Sequence, residues 1–215
     1  MTFTIIGRCP RTGRLGIGIT TLGLAVGALC CNIKPKVGAV VPQANVNPNL
    51  ALLAMDLMEK GYSLDKVLQE LESADALIEY RQLGIVDSEG NAVARTGGST
   101  RPWAGHIVGN GYVAMGNVLA GEQVVQAIGR AFEGSLDQEL DERLLLAIEA
   151  GRDAGGQRGA NGQHLPEHSA ALLVYEDEDI PLSQGWMDLR VDAHDTAVAE
   201  LRRLRDMYKP HIPYH

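Results

Sequence analysis

Residues 15–33, "LGIGITTLGLAVGALCCNI", carry no charge, and Arg8, Arg11 and Arg14 stand just before them. So long an uncharged run has to leave water, in a bilayer, a secretory leader or a protein interior. Gly and Thr dilute its hydropathy. An apolar segment, "FTII", already lies upstream of the arginines, where a leader would have only its charged region. Leu29, not a small residue, precedes Cys30 and Cys31. The run therefore reads as buried strand and turn of a globular protein, and a cytoplasmic location without membrane attachment is expected.

The rest of the chain can bury such a run. Its 215 residues are 45% hydrophobic and 21% charged, ordinary for one globular domain spanning 1–215. A formal net charge of -8 leaves no basic face for non-specific nucleic-acid binding. Three cysteines, two of them adjacent, cannot build a disulfide framework and fit a reducing compartment.

Periodicity and turn residues give the elements. "TFTIIGR" and "LGIGITT" are strands joined by the Pro/Gly turn "CPRTGR", with Gly16 and Gly18 bare on one face so that a backbone or ligand can come close. "VGAVVPQ" is a third strand, expected to stop at Pro42. Asn47, Pro48 and Gly61 punctuate a helix over "NPNLALLAMDLMEKG", and "SLDKVLQELES" is a second. "RQLGIVDSEGNAVARTG" is a hairpin around "DSEGN", and "GYVAMGN" a short strand. Helices follow at "AGEQVVQAIGRAFEG" and "LDERLLLAIEAGRDAGG". "SAALLVYE" and "WMDLRVD" are strands, and "DTAVAELRRLRDMY" is a closing helix capped by Asp195. Strands clustered in hairpins, with helices in pairs, predict antiparallel sheets stacked face to face under outer helices. Apolar helix faces such as "LALLAMDLM" predict a homo-oligomer.

Chemistry is suggested first at the amino end. Methionine is normally removed when a small residue follows it, which leaves Thr2 with a free amine beside its own hydroxyl. An α-amine has an intrinsic pKa of roughly 7.7–8.0, so it can take the hydroxyl proton. Thr2 is thus a candidate nucleophile with a built-in base, lacking only an oxyanion site. Asn117, ending a strand ahead of a helix, is the candidate oxyanion donor, together with nearby backbone N–H groups. Gln43, Asn45 and Asn47 are uncharged amides that could bind an amide or carboxylate of the substrate, Gln43 also being the alternative oxyanion donor and Asn47 also serving as a helix cap. Arg81 and Gln82 open a strand and face either a carboxylate substrate or an acidic neighbour. Trp103 and His106 in "RPWAGH" are candidate pocket walls.

"HLPEH" places His164, Glu167 and His168 in the order of a zinc-protease motif. That motif needs a helix to put both histidines on one face, and Pro166 in Gly-rich surroundings forbids it. No phosphate loop is legible in "GNGYVAMG" or "GGQRGANG". Neither metal nor cofactor is expected.

The opening "TFTIIGRCPRTGRLGIGITT" resembles the start of DUF1028, a bacterial domain-of-unknown-function family of the Ntn-hydrolase superfamily. The likeness continues in family order through "VGAVVPQANVNPN", "RQLGIVDSEGNAVARTG", "WAGH", "GNVLAG", "SAALLVY" and "DLRVDAHDTAVAELRRL". Thr4 stands where that family more often has serine, which keeps the hydroxyl. The resemblance implies an α+β fold, a four-layer αββα sandwich of two mainly antiparallel sheets flanked by helices. The expected activity is hydrolysis of a C–N bond in a small-molecule amide through Thr2. Two alternatives stay open: acid–base chemistry on a small unsaturated acid or imine by His106 or Arg81 with Met1 retained, or ligand binding without catalysis.

Overall fold

The computed structural model describes residues 1–176 and 187–209. In chain order it contains β1 (Thr2–Arg8), β2 (Leu15–Thr21), α1 (Val26–Cys30), β3 (Asn32–Lys34), β4 (Gly38–Ala44), α2 (Pro48–Glu59), α3 (Leu64–Ala74), β5 (Arg81–Asp87) and β6 (Ala92–Thr96). β7 (Ala104–Gly109), β8 (Tyr112–Asn117), α4 (Glu122–Glu133), α5 (Leu140–Asp153), β9 (Gln157–Arg158), β10 (His164–Leu165), β11 (Ser169–Tyr175), β12 (Met187–Val191) and α6 (Ala197–Tyr208) follow. A six-stranded sheet runs β12-β11-β2-β1-β8-β7 and a four-stranded sheet runs β3-β4-β5-β6. The pairings in both are antiparallel.

Strand alternation sorts the core into three clusters. Phe3 and Ile5 of β1 and Leu172 of β11 point to α4, α5 and α6. On the opposite face of the same sheet, Ile6, Ile17, Ile19 and Met115 meet Ala39, Val41 and Val86 of the four-stranded sheet. Val40, Leu83 and Ile85, one residue out of phase, point to α2 and α3. Gly16 and Gly18 admit α5: a Cβ at Gly16 would stand 2.5 Å from Leu144 Cδ1, and one at Gly18 would stand 3.1 Å from the Leu144 carbonyl oxygen. The bare strand face therefore serves helix packing.

Several sequence expectations need correction. Pro42 does not end its strand: it pairs with Leu83 inside β4. β3 reaches only Val40 on the other side, so a missing N–H there breaks no ladder. The final helix is capped at Thr196, not Asp195, and Thr196 N donates to His194 Nδ1 at 3.1 Å. The "LALLAMDLM" face is largely turned inward, with Leu50, Ala51, Ala54, Met55 and Leu57 buried and Leu52 the exposed apolar residue. It supplies no argument for an oligomer. The uncharged run divides into buried β2, a bend and the short α1, and no helix among the described residues is long and apolar enough to cross a membrane. Trp186 and the terminal "HIPYH" lie outside the described residues.

Candidate functional site

β1 begins at Thr2, and its antiparallel pairing with β8 sets Thr2 directly opposite Asn117. Both are buried, at 6% and 1% exposure. The Thr2 hydroxyl lies 3.2 Å from the hydroxyl of Thr21 at the end of β2, and both hydroxyls donate to the Met1 carbonyl oxygen. Met1 occupies the floor of a pocket of about 350 Å³, walled by Ala44, Asn45, Tyr80, Ser99, Thr100, Arg101 and Asn117. Its amine is driven down to about 6, first by burial and then by the positive charge of Arg101. Cys30 lies close enough to feel that amine, but burial lifts its thiol to about 12, so it offers no competing thiolate.

Behind the pocket, the layer between the sheets turns polar. Gln82 Nε2 donates to the carbonyls of Gly105 and Gly116, at 3.0 and 2.9 Å, and to Thr96 Oγ1 at 2.9 Å. Backbone carbonyls only accept, so this fixes which end of the Gln82 amide is nitrogen. Gln82 Oε1 must then accept, and it does so from Gln43 Nε2 at 2.7 Å and Asn117 Nδ2 at 3.1 Å. Gln43 Oε1 in turn accepts from Thr4 Oγ1 at 2.6 Å. The orientation of Asn117 is thus dictated by two carbonyls it never touches. One of its two amide hydrogens is used by Gln82, leaving the other for a ligand.

Backbone strain gathers at the same place. Ala44, in the pocket wall, has φ 73°, and Val118, next to Asn117, has φ 57°. A β-branched residue rarely adopts this left-handed region, and such strain persists only where the surroundings enforce it. Val118 N donates to the Arg101 carbonyl at 3.2 Å and Leu119 N to the Trp103 carbonyl at 3.0 Å. These backbone donors are therefore committed, and the expected help from N–H groups after Asn117 is absent. The Asn117 side chain is the donor left.

The other sequence candidates separate. Gln43 and Gln82 are fully buried and support Asn117 from behind. Asn47 caps α2, accepting from Asn49 N at 3.3 Å and donating to Asp75 at 2.9 Å. Arg81 takes the acidic neighbour: its Nε stands 3.0 Å from Asp75 Oδ2. Trp103 is half-buried against the helix-side cluster and overlies Gly105. His106 stands on the exposed face of β7, its Nδ1 2.8 Å from Thr96 Oγ1, with partial desolvation of the ring lowering its pKa. Neither Trp103, His106 nor Arg81 lines the Met1 pocket. In "HLPEH", His164 and Leu165 form β10, an extended segment rather than a helix turn. Among the described residues no His, Cys, Asp and Glu cluster has metal-holding geometry. Thr21, Tyr80 and Arg101 were invisible as site residues, because strand pairing and loop return bring them together from distant segments.

Solved structures and family profiles place this architecture among known chains. A protein designated SPO2555 from Silicibacter pomeroyi is 28% identical, with 97% of this chain and 86% of that one covered and a TM-score of 0.85. Anbu (ancestral beta-subunit) from Yersinia bercovieri is 11% identical over 97% of this chain and 94% of that one, at a TM-score of 0.42. Anbu (Gly-1) mutant from Hyphomicrobium sp. strain MC1 is 14% identical over 100% of both chains, at 0.44. No curated protein matches the chain. The Silicibacter pomeroyi structure is itself described as DUF1028. The sequence profile "Family of unknown function (DUF1028)" matches residues 2–201, nearly the whole of this chain, which therefore belongs to that family.

Proposed function

We propose that this protein is an N-terminal-nucleophile hydrolase built on a four-layer αββα sandwich, and that it cleaves a C–N bond of a small-molecule amide through Thr2 once Met1 is removed. The observation that carries the reading is that Thr2 pairs directly opposite Asn117 and is joined to Met1, and that Asn117 and Met1 both line one pocket. The Thr2 Oγ–H proton passes to the Thr2 amine as Oγ attacks the amide carbon. Asn117 Nδ2 donates to the developing oxyanion. The C–N bond breaks, and the amine-borne proton goes to the leaving nitrogen. Water then hydrolyses the acyl ester, and its proton returns through the amine. Thr21 holds the nucleophile's hydroxyl in place. The reading with Met1 retained needs His106 or Arg81 in the pocket, and nothing in their placement favours it.

Intact-protein mass spectrometry is the first test: loss of one methionine mass is expected. Thr2→Ala is then expected to abolish turnover across a panel of small amides while costing about 1 kcal/mol of stability, the scale of a lost hydroxyl hydrogen bond. Retained turnover in Thr2→Ala refutes the mechanism. Binding without product in the unaltered chain would instead mark a non-catalytic ligand-binding protein.

A further inference from the structure

Among the described residues of this acidic protein, Arg101 is a cation without a counterion. The chain has 27 Asp and Glu against 19 Lys and Arg, and eight of its fourteen arginines pair with a carboxylate among the described residues. Among them, Arg81 pairs with Asp75, and Arg95 with Glu72 and Glu79. Among the described residues no carboxylate pairs with Arg101, and none lines the pocket that Arg101 walls. Glu79, which precedes the pocket-lining Tyr80 in the chain, is already committed. Its Oε2 accepts from Gly98 N at 2.7 Å, and its Oε1 pairs with Arg95.

The segment that carries Arg101 is tied down. Gly97 N donates to the Arg81 carbonyl at 3.0 Å, Ser99 N to the Glu79 carbonyl at 2.9 Å, and Thr100 N to the Gly97 carbonyl at 3.0 Å. A Cβ at Gly97 would sit 2.3 Å from the Glu79 carbonyl oxygen, so only glycine permits this approach. The Arg101 carbonyl accepts from Val118 N, beside Asn117, so guanidinium and oxyanion amide share one anchor. Of the remaining walls, Asn45, Ser99 and Thr100 are polar, Tyr80 is aromatic and Ala44 is apolar, in a space of about 350 Å³ that suits a small molecule.

We propose that Arg101 is a substrate-binding residue that holds a carboxylate, so that the amides hydrolysed here are carboxylate-bearing ones such as N-acyl amino acids. A guanidinium fork matches a planar carboxylate with two charge-assisted hydrogen bonds. A phosphate dianion would call for a second fixed cation, and the one other basic group in the described walls is the terminal amine, which burial disfavours as a cation. The reaction rests on Thr2 acting as proposed above; the binding subsite does not.

Calorimetry with N-acetylglycine and N-acetylglycinamide, probes that differ only in the charge, separates the two ideas. The acid is expected to bind about ten-fold tighter than the amide or more. Arg101→Gln, at an exposed position, is expected to erase that preference by weakening the acid alone, with Arg101→Lys restoring part of it. Thr2→Ala is expected to keep the preference while losing turnover. Equal affinity for the probes, no measurable binding of the acid, or a preference that survives Arg101→Gln overturns the proposal. An intact preference with turnover persisting in Thr2→Ala would sink the nucleophile and leave the subsite standing.

Discussion

Gln82 decides the geometry of the site without reaching it. It is 0% exposed, donates to three acceptors and accepts from two amides, so one side chain fixes the positions of Gln43 and Asn117. Gln82→Leu strands those groups in a dry layer, where each unsatisfied one costs about 1–3 kcal/mol before relaxation. A net loss of about 2–4 kcal/mol in urea unfolding is expected, with turnover falling further because Asn117 is freed to rotate. A loss well under 1 kcal/mol would mean that water replaces the amide. Ala44 makes the opposite case. Alanine to glycine in a strand normally destabilises by about 0.5–1 kcal/mol, but φ 73° already charges Ala44 for a left-handed backbone. Ala44→Gly is therefore expected to leave the melting temperature level or raise it, and a clear drop would contradict the strain assignment.

Elements were legible wherever their signals are local. The β1–β2 hairpin, the β5–β6 hairpin around "DSEGN" and the Asn47 cap of α2 follow from turn residues and period alone. In the second hairpin Asp87 Oδ1 does accept from Glu89 N and Asn91 N, at 3.0 and 2.8 Å, and Gly90 takes φ 94°. What sequence could not give is adjacency. β7 was missed because "AGHIVG" is short and only half-covered, and it exists as a strand through its pairing with β8. Thr2 and Asn117 were both legible as chemistry, but their register is a tertiary fact. Arg81 and Arg101 look alike in sequence, and only packing assigns one to Asp75 and the other to the pocket. The clearest element-level forecast concerns the seam of β2 and α5. Gly16→Ala would put a methyl 2.9 Å from the Leu173 carbonyl as well as against Leu144. Backbone cannot yield as a side chain can, so about 1–3 kcal/mol of stability should go, read as a lower denaturant midpoint at unchanged m-value. An unshifted midpoint would show that the helix can ride outward at no cost.

At the scale of the whole molecule, folding itself lowers the affinity of the terminal amine for a proton. An α-amine in an unfolded chain titrates near its ordinary value of 8.0, whereas burial and Arg101 bring the Met1 amine to about 6 in the fold. The sign follows: between these values the unfolded chain holds more protons than the folded one, so stability must rise as pH increases from about 6 to 8. Below about 6 both states are charged and the folded state bears the full burden of a buried cation; above 8 both are neutral and the burden is gone. Reductive ¹³C-dimethylation of the terminal amine lets NMR follow its titration directly. A midpoint well below 8 is expected in buffer, near 8 in urea, and shifted upward in folded Arg101→Gln. On the proposed mechanism the Thr2 amine takes the place of the Met1 amine, and the rising limb of kcat/KM with pH is expected to lie below the ordinary amine range and to move up in Arg101→Gln. A folded amine that titrates near 8 would be mostly protonated at neutral pH, and the pocket would then hold a nucleophile without its base.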